Sequence, residues 1–370
     1  MPSIRVELRE NSYPIIVDQK ILGKTGELLR SQTKSEKVIV IADAFVSRRY
    51  GGEVLESLSN AGFDARMTEV PSGEEHKSLE WFGRLQDQLV NHRMDRTSTL
   101  IALGGGVIGD LAGFVAATYM RGISYVQIPT TLQAQVDASV GGKTGINHPD
   151  GKNLIGAFCQ PKLVLIDVST LKTLSPRDVR AGFIEVIKHG VIMDVPLFDQ
   201  IEENLDAILN LDSNILISVI ARSCADKAEV VAGDEKENRL RMTLNYGHTF
   251  GHALESITDY NAYRHGEAVA IGMSCAAQLA CNLGMLSLSD MERQKRLIKR
   301  TGLPTSFPSG MQPDLLLDAM YLDKKAKGGK LNLVLPTRIG EVDIRDDIND
   351  SDVLHAISQC IGNETSSPLP

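Results

Sequence analysis

Apolar residues in the first half of the chain fall into short unbroken blocks, the pattern of parallel strands buried on both faces. Lys37-Val-Ile-Val-Ile-Ala-Asp43, Thr99-Leu-Ile-Ala-Leu103, Tyr125-Val-Gln-Ile128 and Leu163-Val-Leu-Ile-Asp167 are such blocks. Residues 3–8 and 13–17 flank Glu10-Asn11-Ser12 and predict a β-hairpin. Residues 65–70 predict a further strand and residues 78–90 a helix. Strands separated by helical patterns predict βαβ units and a mainly parallel, Rossmann-like sheet. The texture changes at Ser175-Pro176. From residue 176 to about 299 apolar positions recur at helical spacing, and residues 331–344 leave room for one short hairpin. The expected organisation is an α/β domain over residues 1–175, a mostly α-helical domain over 176–363, and a frayed tail at 364–370.

The sharpest local signal is Gly104-Gly105-Gly106-Val107-Ile108-Gly109-Asp110, which follows a strand and opens an alanine-rich helical stretch. Glycines 104, 106 and 109 match G-x-G-x-x-G in the strand–turn–helix context that gives the pattern meaning. A tight turn, close backbone approach to a pyrophosphate and a helix N-terminus facing it would follow. A structural glycine turn is the alternative. An ordinary dinucleotide fold places an acid about 20 residues later for the ribose hydroxyls. No acid lies between Leu111 and Val136, so the candidates move upstream to Asp43 and Glu74. Asp43 has a second reading, as the cap of the helix that follows it. Thr130 and Thr131 follow another strand end, where hydroxyls reach a phosphate or ribose.

Composition narrows the class. With 370 residues, 42% of them hydrophobic and 23% charged, the chain suits two ordinary globular domains. A net charge of −8 argues against nucleic acid or an anionic membrane as partner. The most apolar stretch, residues 100–119, carries Asp110 and five glycines and is a poor membrane span. The N-terminus lacks a signal core, and five scattered cysteines without a CxxC pair suit reduced thiols, so a cytoplasmic protein is expected.

Two residue groups suggest chemistry. His248-Thr-Phe-Gly-His252 places two imidazoles one helical turn apart, with His265 following in His265-Gly-Glu-Ala. An added oxygen ligand would make a metal site with an open position. Thr249 stands where a metalloprotease needs its general-base glutamate, which disfavours that chemistry. The second group is Lys143, Lys152, Lys188, Lys227, Arg241, Lys324 and Lys325. Several of these cations sit beside glycine or asparagine in what read as polar loops, and suit a phosphate or carboxylate ligand.

These motifs together resemble the 3-dehydroquinate synthase family of sugar-phosphate cyclases. The resemblance is carried by Gly104–Phe114, Tyr119-Met-Arg-Gly122, Pro129–Asn147 with its Val140-Gly-Gly-Lys-Thr144, and Gly151-Lys-Asn-Leu-Ile-Gly-Ala-Phe158. It continues through Glu185-Val-Ile-Lys188, Leu244–Glu255, His265-Gly-Glu-Ala-Val269 and Asp323-Lys-Lys325. It implies a Zn²⁺ site of Glu185, His248 and His265, with Co²⁺ able to substitute, which reassigns His252 to the substrate side. It implies NAD contacts from Asp43, Glu74, Lys77, Gly106, Asp110, Thr130 and Thr131, with Lys143 and Lys152 nearby. Substrate contacts would come from Asp137, Lys143, Lys152, Asn153, Lys188, Lys227, Arg241, Asn245, His252 and Lys325. Arg121 would reach across the interface of a homodimer. Gln133, Ile184 and His189 depart from the family's usual residues. The implied reaction converts 3-deoxy-D-arabino-heptulosonate 7-phosphate, a phosphorylated sugar acid, to 3-dehydroquinate and phosphate in the shikimate pathway. Transient oxidation by NAD, phosphate elimination, re-reduction and an intramolecular aldol closure are its implied steps. A polyol dehydrogenase, a cyclase for a substrate without the carboxylate, and a non-catalytic NAD-binding protein are the competing readings. The cation cluster, the Lys227–Arg241 pair and the full metal triad argue against each in turn.

Overall fold

The computed structural model describes residues 2–237, 239–324 and 330–362. The chain divides into two compact units, Met1–Leu174 with Ser213–Lys236, and Ser175–Asp212 with Glu237–Pro370.

The first unit begins with β1 (Ser3–Val6), β2 (Tyr13–Asp18), α1 (Thr25–Arg30), β3 (Lys37–Asp43), the single turn α2 (Ala44–Val46) and α3 (Gly52–Asn60). It continues through β4 (Asp64–Val70), α4 (Leu79–Asn91), β5 (Thr99–Gly104), α5 (Gly106–Thr118), β6 (Ser124–Pro129), β7 (Lys143–His148), β8 (Gly151–Phe158) and β9 (Leu163–Asp167). Seven strands form one sheet in the order β1-β2-β9-β6-β5-β3-β4, parallel throughout except for the β1–β2 hairpin. The unbroken apolar run of β3 follows from burial of both faces. Val38, Val40 and Ala42 pack with Val54 and Leu58 of α3, whereas Ile39 and Ile41 pack with Leu85 and Leu89 of α4 and Leu111 of α5. The chain winds outward from β3 to β4, then returns to β5 on β3's other side. The switch point therefore lies at the carboxyl ends of β3 and β5, where open α/β sheets bind ligands.

Two expectations need correction. The lysine-bearing segments around residues 143 and 152 are not loops; they are the antiparallel hairpin β7–β8. Their glycines disguised the strands, since glycine is a poor strand former. Packing nevertheless requires them, because a Cβ on Gly156 would lie 2.1 Å from the Thr144 carbonyl oxygen. The second unit does begin at Ser175, but that crossing is not single: the chain returns to the first unit at Ser213 and leaves it again after Lys236. Helix α8 (Ser213–Gly233) belongs to the first unit, where it packs on β1 and β2.

The second unit holds α6 (Pro176–Ile192), α7 (Val195–Leu209), α9 (His248–Ile257), α10 (His265–Asn282), α11 (Leu288–Arg300), α12 (Pro313–Lys324) and α13 (Asp350–Gln359). The expected hairpin is β10 (Leu333–Arg338) with β11 (Glu341–Arg345). Helix α10, rich in glycine, alanine and other small residues, is buried along most of its length and touches α6, α9, α11, α13 and β10. Its small side chains let backbones meet: a Cβ on Gly272 would lie 2.0 Å from the Gly247 carbonyl oxygen at the head of α9. All five cysteines are free thiols. No helix among the described residues is long and apolar enough to cross a membrane.

Candidate active site

In the first unit the expected cofactor residues gather at strand carboxyl ends. Asp43 ends β3, Glu74 lies in the turn after β4, Gly106 opens α5 directly after β5, and Thr130 and Thr131 follow β6. The Thr130 amide donates to the Gly104 carbonyl at 2.9 Å, which ties the β6 end to the glycine turn. Asp43 acts as the cap its second reading allowed: Oδ1 accepts from the Phe45 and Val46 amides at 3.0 and 3.1 Å. The glycines of the turn are not equivalent. A Cβ on Gly104 would lie 2.9 Å from Ile108, and one on Gly109 would lie 2.7 Å from Gln127 Oε1, so packing itself excludes side chains there. On Gly106 a Cβ would meet only Ala138, at an ordinary 3.5 Å. The first-turn N–H groups of α5 have no intrahelical acceptors, as at any helix start.

Lys77 is buried and joins two expected roles. Its ammonium donates to Asp110 Oδ2 at 2.6 Å and also to Asn153 Oδ1. Burial pushes the Asp110 carboxyl up, while the Lys77 ammonium pulls it the other way. Asn147, given no role from sequence, links the same group to Glu74. Its Nδ2 donates to Glu74 Oε1 at 2.7 Å, and its Oδ1 accepts from the Asn153 amide at 3.0 Å. Glu74, Asn147, Asn153, Lys77 and Asp110 thus form one hydrogen-bonded chain. Asn153 adopts a left-handed backbone with φ of 57°.

Lys143 and Lys152 stand exposed on the β7–β8 hairpin. Lys227 of α8 is buried, and its ammonium donates to the Asp137 backbone carbonyl at 2.6 Å and to the Asp137 carboxylate. Arg121 follows Met120 in a left-handed turn after α5, with φ of 68° and 49°.

The second unit assembles the expected metal ligands. Glu185 of α6, His248 of α9 and His265 of α10 bring one ligand atom each within 4.8 Å of one another. His248 Nε2 lies 3.8 Å and His265 Nε2 3.9 Å from Glu185 Oε1. Close helix approach makes this possible. Gly266, next to His265, lies so near α6 that a Cβ would be 1.8 Å from the Ala181 carbonyl oxygen. Glu185 is fully buried, its Oε2 forms an ion pair with Lys188, and its Oε1 has no hydrogen-bond donor. A buried carboxylate in that state is a strong acceptor facing two imidazoles. Burial pushes the His248 imidazole well below its ordinary range, and Lys188, His265 and His252 push it further, so it is neutral. Its Nδ1 lies 3.1 Å from the Tyr246 carbonyl, which takes the proton on that nitrogen and leaves the Nε2 lone pair for a cation. Donor set, burial and tautomer fit a divalent metal of the zinc type.

His252 adds a third imidazole, its ring centroid 5.5 Å from that of His248 and 5.8 Å from that of His265. Arg241 and Asn245 lie in the short helical turn Leu240–Asn245, with Arg241 buried. Ile184 and His189, on either side of the Glu185–Lys188 turn, are buried in the unit's core. Lys324 ends α12, and Lys325 lies outside the described residues. Glu255, also without a sequence-assigned role, approaches His265. Its spacing from His248 and His252 on one helix face was the signal that could have found it.

A doubly wound α/β unit with a glycine turn, followed by a helical unit with a carboxylate–His–His group able to hold a metal, is the architecture of the sugar-phosphate cyclases. Residues 67–181 match the model for the 3-dehydroquinate synthase N-terminal domain, and residues 182–326 match that for its C-terminal domain. A 3-dehydroquinate synthase from Desulforamulus reducens is 53% identical over 97% of this chain and 100% of its own. One from Nostoc punctiforme is 49% identical over 96% and 98%. The 2-epi-5-epi-valiolone synthase of Streptomyces hygroscopicus subsp. jinggangensis 5008, solved with NAD⁺ and Zn²⁺ bound, superposes with a TM-score of 0.87. It shares 28% identity over 96% of this chain and 98% of that one. The chain belongs to the 3-dehydroquinate synthase family, and its activity is the formation of 3-dehydroquinate in the shikimate pathway.

Proposed function

We propose that the chain is a phosphate-eliminating lyase that uses NAD and a divalent metal to turn 3-deoxy-D-arabino-heptulosonate 7-phosphate into 3-dehydroquinate and phosphate. The observation that carries the metal assignment is the buried Glu185 carboxylate, whose Oε2 pairs with Lys188 while its Oε1 has no hydrogen bond and faces two imidazoles. Glu185, His248 and His265 would hold Zn²⁺, or Co²⁺ in its place. Bound there, the metal supplies Lewis-acid polarisation of a substrate hydroxyl, and NAD supplies a hydride acceptor that is restored within the turnover. The relative solved with both groups supports this pairing.

The cofactor would lie across the β3–β5 switch point. Gly106 supports a pyrophosphate there, since the protein's own packing does not demand glycine at that position. Asp43, Glu74, Lys77, Asp110, Thr130 and Thr131 would complete its contacts, with Lys143 and Lys152 alongside. Asp43 keeps its capping bond in this role, because a carboxylate accepts at both oxygens.

The substrate contributes two anions. Lys143, Lys152, Asn153, Lys325 and His252 would bind its phosphate, joined by Arg121 from the second subunit of a homodimer. Lys227 and Arg241 would bind the carboxylate, with Asp137 orienting the Lys227 ammonium, and Lys188 and Asn245 would bind ring hydroxyls. Cations aimed at a leaving phosphate stabilise its developing charge, so elimination needs no separate carboxylate base if the phosphate takes the proton. The α/β and helical domains would thus divide the work into cofactor binding and metal binding.

Incubation with the heptulosonate phosphate, catalytic NAD and Zn²⁺ tests this reading. Stoichiometric phosphate and 3-dehydroquinate without net NADH are expected. Accumulation of NADH without phosphate would show a polyol dehydrogenase instead.

A further inference from the structure

Glu255 lies in the last turns of α9 with its side chain largely buried, and its Oε2 is 3.2 Å from His265 Nδ1. His265 is the first residue of α10 and stays about a quarter exposed. Its imidazole has two nitrogens, and only one of them faces Glu185. Left to itself, a neutral histidine carries its proton on either nitrogen and turns about its side-chain bonds.

We infer that Glu255 is a positioning residue for the metal site, holding the His265 proton on Nδ1 so that the Nε2 lone pair faces Glu185. The inference rests on the metal-site reading above. His248 receives the same treatment by a different route, from the Tyr246 carbonyl. Both imidazoles of the triad therefore have an acceptor at the nitrogen turned away from the ligand centre, the arrangement that fixes tautomer and raises ligand basicity.

Glu255 also belongs to a second possible ligand group with His252 and His265. Metal held there would take Glu255 as a direct ligand. That arrangement leaves the Glu185 carboxylate fully buried with only the Lys188 ammonium against it, and turns the Tyr246-fixed His248 away from any cation. The first triad satisfies every one of these groups, and Glu255 then acts through His265.

The test is metal affinity, measured by chelator competition on full-length protein stripped and reloaded with Co²⁺ or Zn²⁺. Glu255→Ala should weaken binding about 10- to 100-fold, the scale of a lost outer carboxylate, while one ion per chain still binds at saturation. Glu255→Gln keeps an acceptor without the charge and should fall between wild type and Ala. It also replaces Ala as the test variant if Ala does not fold. The Co²⁺ absorption spectrum should change in both. Equal unfolding midpoints for metal-free wild type and variant would show that the loss is not one of folding. Glu185→Ala should abolish binding, and His252→Ala should leave affinity within about twofold. Wild-type affinity in Glu255→Ala or Glu255→Gln, with Glu185→Ala inactive in binding, overturns the positioning role alone. Loss in His252→Ala and Glu255→Ala, with Glu185→Ala unaffected, places the ion in the second group and overturns the metal reading with it.

Discussion

Gly266 of α10 lies against the Ala181 carbonyl of α6 at a separation that leaves no room for a methyl group, 1.8 Å to a built Cβ. The contact sits beside His265 on one helix and one turn before Glu185 on the other, so helix packing sets the ligand spacing. Gly266→Ala should force the helices apart, lower stability by about 1–3 kcal/mol and weaken metal binding. Gly83 in α4 meets nothing within 4 Å, and Gly83→Ala should instead stabilise by about 0.5–1 kcal/mol. Urea unfolding of the two variants with a metal-binding titration checks both signs. Unchanged metal affinity in Gly266→Ala would separate helix packing from the site.

Asn147 joins the Glu74 turn to the hairpin that carries Asn153. Asn147→Ala removes both bonds without touching a ligand. NAD affinity and substrate KM should worsen together, each by about threefold to tenfold, the scale of one lost hydrogen bond per side. A double-mutant cycle with Glu74→Gln should show non-additive effects, because the two residues share a bond. Additive losses would mean that the contact is incidental.

Much of this was legible in the chain. Strands β3, β5 and β9 announced themselves as apolar runs because both sheet faces are covered. The hairpin β7–β8 did not, since Gly145 and Gly156 serve backbone contact rather than side-chain packing. Helix α8 showed its apolar positions, but periodicity identifies a buried face and not the core that buries it. Asp43 read equally as cap or ribose ligand; the Phe45 and Val46 amides show the cap, a bond that is compatible with the second role. The spacing of His248 and His252 named a helix face. It could not name Glu185, which reaches the site from another helix through the fold.

Arg241 is buried in the helical unit, and the role proposed for it is the substrate carboxylate alone. Arg241→Ala should raise substrate KM about tenfold or more, the scale of a lost charged hydrogen bond, and leave the NAD dissociation constant within about twofold. Steady-state kinetics and a cofactor titration on the same preparation decide this. Equal losses in both would move Arg241 out of that role.

Burial raises the Cys159 thiol to about 11 and the Cys224 thiol to about 12. The thiolate fractions at pH 8 are then roughly one in a thousand and one in ten thousand, and only thiolates alkylate at useful rates. Iodoacetamide labelling followed by mass spectrometry should find Cys159 modified slowly and Cys224 more slowly still. Rapid labelling of Cys224 in folded protein would contradict its burial beneath the sheet.

His248 gives the metal-free protein a specific pH dependence. Its folded-state pKa lies well below the ordinary 6.5, chiefly through burial and then through Lys188, His265 and His252. The folded chain therefore holds this imidazole neutral, while the unfolded chain protonates it below about pH 6.5. The stabilisation is fully present above the unfolded value and is lost as pH falls toward the folded one. Between pH 7.5 and 5.5 the loss approaches about 1.4 kcal/mol for one proton. Urea midpoints of chelator-treated protein at the two pH values should show it, and His248→Asn should flatten the difference by that amount. An unchanged pH slope in His248→Asn would assign the acid sensitivity to another group.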